Sequence, residues 1–291
     1  MKSLTLTLEE IKQDTSMSLA EKKAACIKIG LRPRDVEYLE FSGFFAGEKC
    51  LTFGVEIECN VRRELVESCA STRPGFAFAY ESYNHTDHRS HYKFVTDGSV
   101  FGGSPIECVT PVLDDNETGF GSLKTALAVL NAAGAYVNRS CGLHVHVGVG
   151  DFTGEEIVNI YKNYQALESV IDSFMAPSRR GDSCTWAHSL QGYDYSRCTT
   201  TDTISRLMHF DRYHKVNPMA YGRHRTVEFR QHQGSVDYEK ISMWVRFCCK
   251  LVAWSKKHVL QGEVRDVAEI PFLNEEEKAF FAQRIAYFAS L

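Results

Sequence analysis

The chain has 291 residues, 44% hydrophobic and 24% charged, and its formal net charge of −4 provides no basic surface for gripping the phosphates of a nucleic-acid partner. No apolar run is long enough to cross a bilayer, which argues against a membrane partner. The start, MKSLTLTLEEIKQD, turns acidic too early for a signal peptide, so the ten cysteines are expected to be reduced thiols in a cytoplasmic protein.

The first 45 residues are predicted to be helical. The segments TLEE and SLAE have the spacing of capping boxes, in which a hydroxyl and a carboxylate three residues apart bond to free amides at a helix start. Gly30 follows the second segment where a helix end favours glycine. We expect residues 1–45 to form an N-terminal helical extension that could dock a protein partner.

Short segments with alternating hydrophobic and polar residues, the period of a half-buried strand, follow from Leu51 onward. They are LTFGVEIECN, GFAFAYESY, HYKFVTDGSV, IECVTPVL, SCGLHVHVGVG and RTVEFRQH. Helical patterns at 121–133 and 155–175 interrupt them, and two more helices follow, the last ending in FFAQRIAYF. This order predicts an α+β fold around a mainly antiparallel sheet. The sheet and its helices should form one domain, 46–260, with a C-terminal helical segment, 261–291, packed on it.

Four predicted strands carry a narrow set of polar side chains on one face. These are Glu56 and Glu58, Glu107, His144 and His146, and Glu228, Arg230 and His232. Alternating polar residues usually mark a solvated sheet face. Four strands that draw only on Glu, His and Arg favour instead faces that converge on one site. Converging carboxylates repel one another unless cations lie between them, so a metal site is predicted.

The composition of this polar set indicates which metal to expect. Glutamates outnumber histidines, and oxygen-rich ligand sets suit Mg²⁺ or Mn²⁺ better than zinc. A nearby arginine would bind phosphate oxygens, so a nucleoside triphosphate is the expected ligand. The chain has no GxxxxGK[ST] segment, so a P-loop is not expected to hold the nucleotide.

Four segments in this order resemble the amidoligase family of the carboxylate–amine ligases: GVEIE, TDGSVFGGSPIECVTPVL, GAYVNRSCGLHVHV and NPMAYGRHRTVEFRQHQGSVD. The resemblance covers roughly residues 50–255, and the family is distantly similar to glutamine synthetase and glutamate–cysteine ligase. It implies an antiparallel sheet curved into a funnel of the glutamine synthetase type, with ATP entering at one end and the acceptor at the other.

The resemblance also implies two divalent ions, Mg²⁺ or Mn²⁺, held between the strands. Glu56 and Glu58 would ligate different ions. Glu107 would join the ion of Glu58. His144 and Glu228 would complete the shell of the ion at Glu56.

The nucleotide would contact two further residues by the same resemblance. His146 would face the ATP phosphates, and Arg230 would stabilise the γ-phosphoryl group during its transfer. One position departs from the family pattern. Glutamine synthetases place an arginine two residues before the glutamate that matches Glu228, where this chain has Thr226, and Arg225 lies on the opposite face of the strand.

Two acidic positions are left open. Glutamine synthetases carry another acidic ligand after the position of Glu107, where only Asp114 or Asp115 is offered, neither convincingly placed. One ion could therefore have more water in its shell. Asp97 could accept a proton from an attacking amine, although Asp-Gly is equally typical of a turn.

Other cationic residues have two interpretations each. Arg180 could bind a substrate carboxylate or a phosphate, and a solvated basic loop is an equal alternative. Arg212 and Asn217, grouped with His214 and Lys215, could contact the nucleotide or substrate, or could form a plain charged face.

The tract NHTDHRSH has histidines at positions 85, 88 and 91, a spacing that metal sites use. No cysteine or regular helix accompanies His85, His88 and His91, and most such tracts are solvated loops. We interpret this tract as a loop.

The sequence therefore predicts an ATP-dependent carboxylate–amine ligase that forms a peptide or isopeptide-like amide bond through an acyl phosphate. The acid and amine would be small molecules or peptides. Two alternatives remain at this point. One is a divalent-metal-dependent hydrolase, against which the number of carboxylates and Arg230 argue. The other is a non-catalytic binding module that has kept the fold.

Overall fold

The computed structural model describes residues 7–13, 17, 19–33, 36, 50–82, 84 and 86–290. The chain divides into two compact units, Met1–Cys50 and Leu51–Leu291. No helix within the described ranges is both long and apolar enough to span a membrane.

Among the described residues of the N-terminal unit, two short helices are complete and lie around a small apolar cluster. They are α1 (Leu8–Gln13) and α2 (Leu19–Lys28). The capping box of TLEE is confirmed, because the Glu10 amide donates to the Thr7 hydroxyl at 3.2 Å and the Thr7 amide donates to the Glu10 carboxylate at 2.7 Å. Gly30 ends α2 with a φ of 102°, the left-handed backbone that favours glycine. Ser18, which opens SLAE, lies outside the described residues.

The second unit is built on one eight-stranded sheet. Its strands are β1 (Thr52–Asn60), β2 (Phe78–Tyr80), β3 (Tyr92–Val95), β4 (Pro105–Val109), β5 (Leu113–Asp114), β6 (Gly142–Gly148), β7 (Val216–Asn217) and β8 (Thr226–Gln233). Its helices are α3 (Arg63–Ser71), α4 (Glu117–Ala132), α5 (Gly154–Phe174), α6 (Thr201–Leu207), α7 (Ala220–His224), α8 (Tyr238–Ser255) and α9 (Glu275–Ala289). Every predicted strand segment contains a strand. The additional strand β7 has two residues, too few for alternation to be recognised.

The strand order confirms the predicted α+β class with a mainly antiparallel sheet. The order is β2-β3-β4-β1-β6-β8-β7, with β5 paired to the start of β1. Only β2 and β3 run parallel; the other neighbours are antiparallel. The sheet is open, since within the described part of the chain its outer strands β2 and β7 do not pair with each other.

One face of the sheet is apolar and packs against helices. Val55, Ile57, Val145 and Phe229 are completely buried there, as alternation predicts. Helices α5 and α8 pack together, and α8 also contacts β6 and α4. Burial of these side chains is the main force that stabilises the unit. The alternate residues of the same strands therefore point to the opposite face.

The C-terminal helix α9 packs on α5 within this unit. The rings of Phe281 and Phe174 lie with their centroids 4.5 Å apart. Lys250 of α8 and Glu277 of α9 form an ion pair at 2.6 Å. Helix α9 thus extends the helical layer on the apolar face of the sheet.

A β-bulge interrupts the alternation of β8. Leu143 of β6 pairs with His232 and Val145 pairs with Phe229, so two steps along β6 match three along β8. Because of the extra residue, the side chain of His232 at the end of β8 points to the face opposite to the one that alternation predicts. His232 was expected on the face of Glu228 and Arg230, but it instead stacks on Trp244 of α8, with ring centroids 5.8 Å apart. Burial lowers the pKa of His232 to about 3, and the nearby Arg284 and Arg179 contribute to this.

Candidate functional site

The register of the sheet brings the predicted polar residues together across four strands. The cross-strand partners are Glu107 with Glu58, Glu56 with His144, and His146 with Glu228. These side chains lie opposite the apolar face, and most are buried. They form two groups, each of which has three potential ligand atoms within 4.8 Å of one another.

The first group, the imidazole cluster, consists of Glu56, His144 and Glu228. His144 Nδ1 lies 2.8 Å from Glu56 Oε2 and 3.8 Å from Glu228 Oε1. His144 is 7% exposed and Glu228 is 4% exposed, so the cluster is largely shielded from water. Two carboxylates and one imidazole are a ligand set that a divalent cation accepts.

The second group, the carboxylate cluster, consists of Glu58, Asp97 and Glu107. Glu58 is buried in β1, and its Oε2 accepts a hydrogen bond from the Gly142 amide at 2.5 Å. Asp97 lies in the turn after β3, where its Oδ1 accepts hydrogen bonds from the amide and the hydroxyl of Ser99, both at 2.7 Å. The sequence suggested Asp97 as a proton acceptor. The structure places it as the third carboxylate of this cluster.

The two acidic residues considered for that third position lie elsewhere. Asp114 pairs with Thr52, at the opposite end of β1 from Glu58. Burial raises the pKa of Asp115, while Arg246 opposes this shift. The turn position of Asp97 carries no strand alternation, so periodicity could not have identified it.

His144 connects the two clusters. Its Nε2 lies 3.7 Å from Glu58 Oε1, while its Nδ1 is paired with Glu56. The space around the ring depends on a glycine. A Cβ at Gly142 would lie 3.1 Å from His144 Nε2, 3.4 Å from Glu58 Oε2 and 3.5 Å from Arg179 Nη1. A Cβ at Gly142 would therefore be in tight contact with His144 and in ordinary van der Waals contact with the other two groups.

The carboxylate cluster places unfavourable charges close together. Burial raises the pKa of Glu107 well above its usual range, and the neighbouring Glu56, Glu58 and Asp97 raise it further. Without a cation, Glu107 therefore favours its protonated form. A raised pKa of this kind is expected where a bound cation would neutralise the neighbouring carboxylates.

The imidazole cluster behaves in the opposite way. Burial alone would raise the pKa of Glu56, but the hydrogen bond from His144 and the nearby His146 imidazole hold it well below its usual range. Burial also opposes ionisation of Glu228, and Arg230 reverses that effect, so the pKa of Glu228 is lowered. Both carboxylates are ionised at neutral pH.

His146 has one nitrogen in a hydrogen bond and one that lies near two carboxylates without forming a hydrogen bond. Its Nδ1 is 2.9 Å from the hydroxyl of Thr226, the residue at the position where glutamine synthetases have an arginine. Its Nε2 is buried and has no hydrogen-bond partner in the described part of the chain. That atom lies 3.4 Å from Glu56 Oε1. Burial disfavours its charged form, but Glu228 and Glu56 outweigh burial and raise the pKa of His146. Because Nε2 makes no hydrogen bond within the described residues, it is available to a ligand that enters the site.

Arg230 lies directly beside the imidazole cluster. Its guanidinium is paired with Glu228, donates a hydrogen bond to the Trp186 carbonyl at 3.2 Å and lies 5.9 Å from the Tyr213 ring centre. Burial would lower the pKa of Arg230, but Glu228 raises it, so the charge is retained. Asn217, considered as a nucleotide ligand, instead donates its amide to the other Glu228 oxygen at 2.5 Å.

In the segment around Arg212, one cationic side chain is exposed and another is buried in the core. Arg212 is exposed and lies 5.3 Å from the Tyr213 ring centre, on the ring that Arg230 also approaches. Lys215 is fully buried and pairs with Glu168 and Asp172, both at 2.7 Å. Lys215 thus has a structural role in the layer beneath β8.

Of the two adjacent arginines, Arg179 is the one at the clusters. Its guanidinium donates to the Cys141 carbonyl at 2.7 Å and lies beside Gly142. Arg180 donates its Nε to the Met175 carbonyl at 2.9 Å and lies 5.4 Å from the ring centre of Phe288 in α9. The role of Arg180 in binding a carboxylate or phosphate stays a prediction, and the sequence offered no separate indication of Arg179. The only signal for Arg179 was its place in the same arginine pair.

Comparisons with known proteins add the following. No curated protein matches the chain. Among solved structures, a bifunctional glutathione synthetase from Pasteurella multocida is 13% identical, with a TM-score of 0.40 over 82% of this chain and 41% of that one. This chain thus spans about two fifths of the length of that protein. The family model described as "Putative amidoligase enzyme" matches residues 49–252, which include both clusters, His146 and Arg230. Because that match covers most of the chain, the protein belongs to this amidoligase family.

Proposed function

We propose that the protein is an ATP-dependent carboxylate–amine ligase that forms an amide bond through an acyl phosphate. The observation that carries this proposal is the pair of clusters joined through His144, with the guanidinium of Arg230 beside one of them. Family membership supports a ligase. The glutamine synthetase-like funnel, with nucleotide and acceptor arriving from opposite ends, is part of the same proposal.

The clusters fit two Mg²⁺ or Mn²⁺ ions, because five carboxylates and one imidazole form an oxygen-rich set. Glu56, His144 and Glu228 would hold one ion; Glu58, Asp97 and Glu107 would hold the other. The raised pKa of Glu107 supports this fit, since a cation would remove the repulsion among its neighbours. When bound, the two ions supply positive charge that offsets the phosphate charge of ATP.

The chain's own residues have separate roles in the proposed reaction. Arg230 is positioned to stabilise negative charge on the γ-phosphoryl group as it moves to a substrate carboxylate oxygen and its bond to ADP breaks. The Nε2 of His146, which makes no hydrogen bond within the described residues, would donate one to a phosphate oxygen. Arg179 is positioned to add a second guanidinium.

The second half of the reaction forms the amide. The amine nitrogen attacks the acyl carbon, the bond to phosphate breaks, and the amine loses a proton. The proton-accepting role of Asp97 stays a prediction, since its Oδ1 is already bonded to Ser99 and its carboxylate is shared with the cluster. The acid and amine are proposed to be small molecules or peptides.

The chemistry is tested by trapping the acyl phosphate with hydroxylamine. A screen of carboxylic acids should yield a hydroxamate only with ATP and a divalent ion. Arg230→Lys should lower the rate about 10²-fold or more while ATP still binds, because an ammonium cannot reproduce a planar two-donor fork. The exposed Arg206→Lys is the matched control and should leave the rate unchanged.

ATP binding is measured separately by calorimetry. It should require Mg²⁺ or Mn²⁺ and should disappear with Glu58→Gln, which removes one carboxylate of the cluster. Phosphate release that is equally fast with no acid present, or a fully active Arg230→Lys, would contradict the ligase mechanism.

A further inference from the structure

A third set of potential ligands lies between β2 and β3, outside both clusters. Glu81, His88 and His91 place three potential ligand atoms within 4.8 Å of one another. Glu81 Oε1 lies 3.0 Å from His91 Nε2 and 3.2 Å from His88 Nε2. The two imidazole rings are tilted with their centroids 4.1 Å apart. All three side chains are about three-quarters buried, although the tract is the loop that its composition indicates and its other described residues 86, 87, 89 and 90 are exposed.

The backbone fixes each of the three residues. The Glu81 amide donates to the Phe94 carbonyl of β3 at 3.0 Å. The His88 carbonyl accepts from the Val112 amide at 2.8 Å. His91 directly precedes β3. The ligand atoms therefore converge from positions anchored to the sheet. His85 of the same tract lies outside the described residues.

Hydrogen bonding alone leaves this group incomplete. His91 Nε2 bonds to Glu81 Oε1, but His88 Nε2, close to the same oxygen, has no hydrogen bond within the described residues and is buried. A bound cation would give both nitrogens and the carboxylate oxygen a partner at once. The outer contacts fit this arrangement: His91 Nδ1 is 3.1 Å from the Ser90 hydroxyl, and Glu81 Oε2 accepts from Asn84 at 2.7 Å.

The separations suit a small tetrahedral ion. Zinc bonds of about 2.0–2.1 Å place neighbouring ligand atoms about 3.3 Å apart in a tetrahedron. The two nitrogen–oxygen separations, 3.0 and 3.2 Å, are close to this value without any ion in place. Two imidazoles and one carboxylate are also a nitrogen-rich set, which zinc accepts and magnesium does not favour.

We propose that Glu81, His88 and His91 form a zinc site, separate from the two clusters, in which water or another small ligand takes the fourth position. Three protein ligands leave that position open. The site does not depend on the proposed ligase chemistry, because it shares no residue with either cluster.

The proposal is tested on the full-length protein after metal has been removed with a chelator. Zinc is titrated with Mg²⁺ in excess, and Co²⁺ is added in parallel as a spectroscopic probe. We expect one zinc per chain at this site, and visible absorption of four-coordinate cobalt that zinc abolishes. Glu81→Gln, His88→Asn and His91→Asn should each weaken zinc binding about 100-fold or more, since even outer contacts of zinc ligands are worth 10–100-fold.

Controls distinguish this site from other histidines and from the clusters. His209→Asn is the matched control, because His209 is exposed and its φ of 55° is one that asparagine tolerates. It should leave zinc binding unchanged, as should Glu58→Gln. X-ray absorption of the wild-type zinc protein should show two imidazoles and needs no variant to fold. Absence of tight zinc binding, or zinc lost with Glu58→Gln but kept by His88→Asn and His91→Asn, would overturn the proposal.

Discussion

Gly142 decides how closely three functional groups of the site can approach. A Cβ at this position would crowd His144 and would also touch Glu58 and Arg179. The Gly142 amide also donates to Glu58, so the backbone itself orients a proposed metal ligand. A methyl group here would displace ligands rather than remove them.

We expect Gly142→Ala to lower ATP-dependent hydroxamate formation severalfold, because a Cβ 3.1 Å from His144 Nε2 would make that ring shift by a few tenths of an ångström. The free energy of unfolding should change little, since the neighbouring side chains can give way. Gly103→Ala is the matched control, because a Cβ at Gly103 meets no atom within 4 Å. Rates close to wild type in Gly142→Ala would mean that these groups do not act together.

The limits of sequence reasoning are clear at the scale of single residues. Alternation along a strand identified Glu56, Glu58, His144 and His146, because a period of two fixes which side chains share a face. Alternation could not assign Asp97 to the carboxylate cluster. That residue lies in a turn, where side-chain direction depends on local dihedral angles and on contacts distant in sequence.

At the scale of elements, β8 serves both faces of the sheet. Before its bulge it presents Glu228 and Arg230 to the candidate site, and after the bulge it presents His232 to Trp244 in the helical layer. Bulges result from pairing between strands distant in sequence, so the hydrophobic pattern of β8 alone could not predict this change of face. The prediction placed this strand correctly along the chain but assigned the side chain of His232 to the wrong face.

The buried position of His232 predicts a pH dependence of stability. Its folded pKa of about 3 lies below the unfolded value near 6.5, so the unfolded chain binds the proton more readily. The stabilising contribution is complete above pH 6.5 and is lost as the pH falls toward 3. Between pH 7 and pH 5 it should decrease by about 2 kcal/mol.

His232→Phe should remove this part of the pH dependence while keeping a ring against Trp244. The measurement is the free energy of unfolding of metal-free protein at pH 7 and pH 5, by urea titration. The difference between the two pH values should be about 2 kcal/mol smaller in the variant than in wild type. The exposed His209→Asn should match wild type, and equal differences in His232→Phe and wild type would contradict the assignment.

At the scale of the whole molecule, the candidate site has a cost for stability that ligands should relieve. Burial raises the pKa of Glu107, and the neighbouring Glu56, Glu58 and Asp97 raise it further, so keeping this carboxyl in the cluster costs stability near neutral pH. Ligands that bind only the folded state raise its stability by mass action. Removal of one carboxylate should therefore stabilise the metal-free protein and weaken the stabilisation that ATP with Mg²⁺ gives to the loaded protein.

We expect Glu107→Gln to raise the melting temperature of metal-free protein by about 2–4 °C for each kcal/mol of repulsion removed. The stabilisation by ATP with Mg²⁺ should be largely lost in the same variant. Differential scanning calorimetry measures both effects, with the exposed Glu64→Gln as the matched control. A lower melting temperature of metal-free Glu107→Gln, with no change in the control, would show that Glu107 stabilises the fold by itself.

The overall architecture could be predicted to a useful degree. The segment order gave an α+β fold with a mainly antiparallel sheet, because alternating strands and amphipathic helices differ in period. The strand order, the pairing of the two clusters through His144 and the proximity of His88 to His91 depend on long-range register and on packing, which local patterns do not contain. The predicted division at 1–45, 46–260 and 261–291, with a docking role for the first segment, stays a prediction.

The paired clusters described above imply a balance of charge. With both ions bound, the five carboxylates would all be ionised and, together with the guanidinium of Arg230, would carry four negative charges, which the two divalent ions would neutralise. The loaded site would then have almost no charge left to attract the phosphates of a nucleotide. The cations at its border, Arg179 beside Gly142 and Arg212 above Tyr213, would then decide how strongly the nucleotide is attracted and how that attraction weakens with salt.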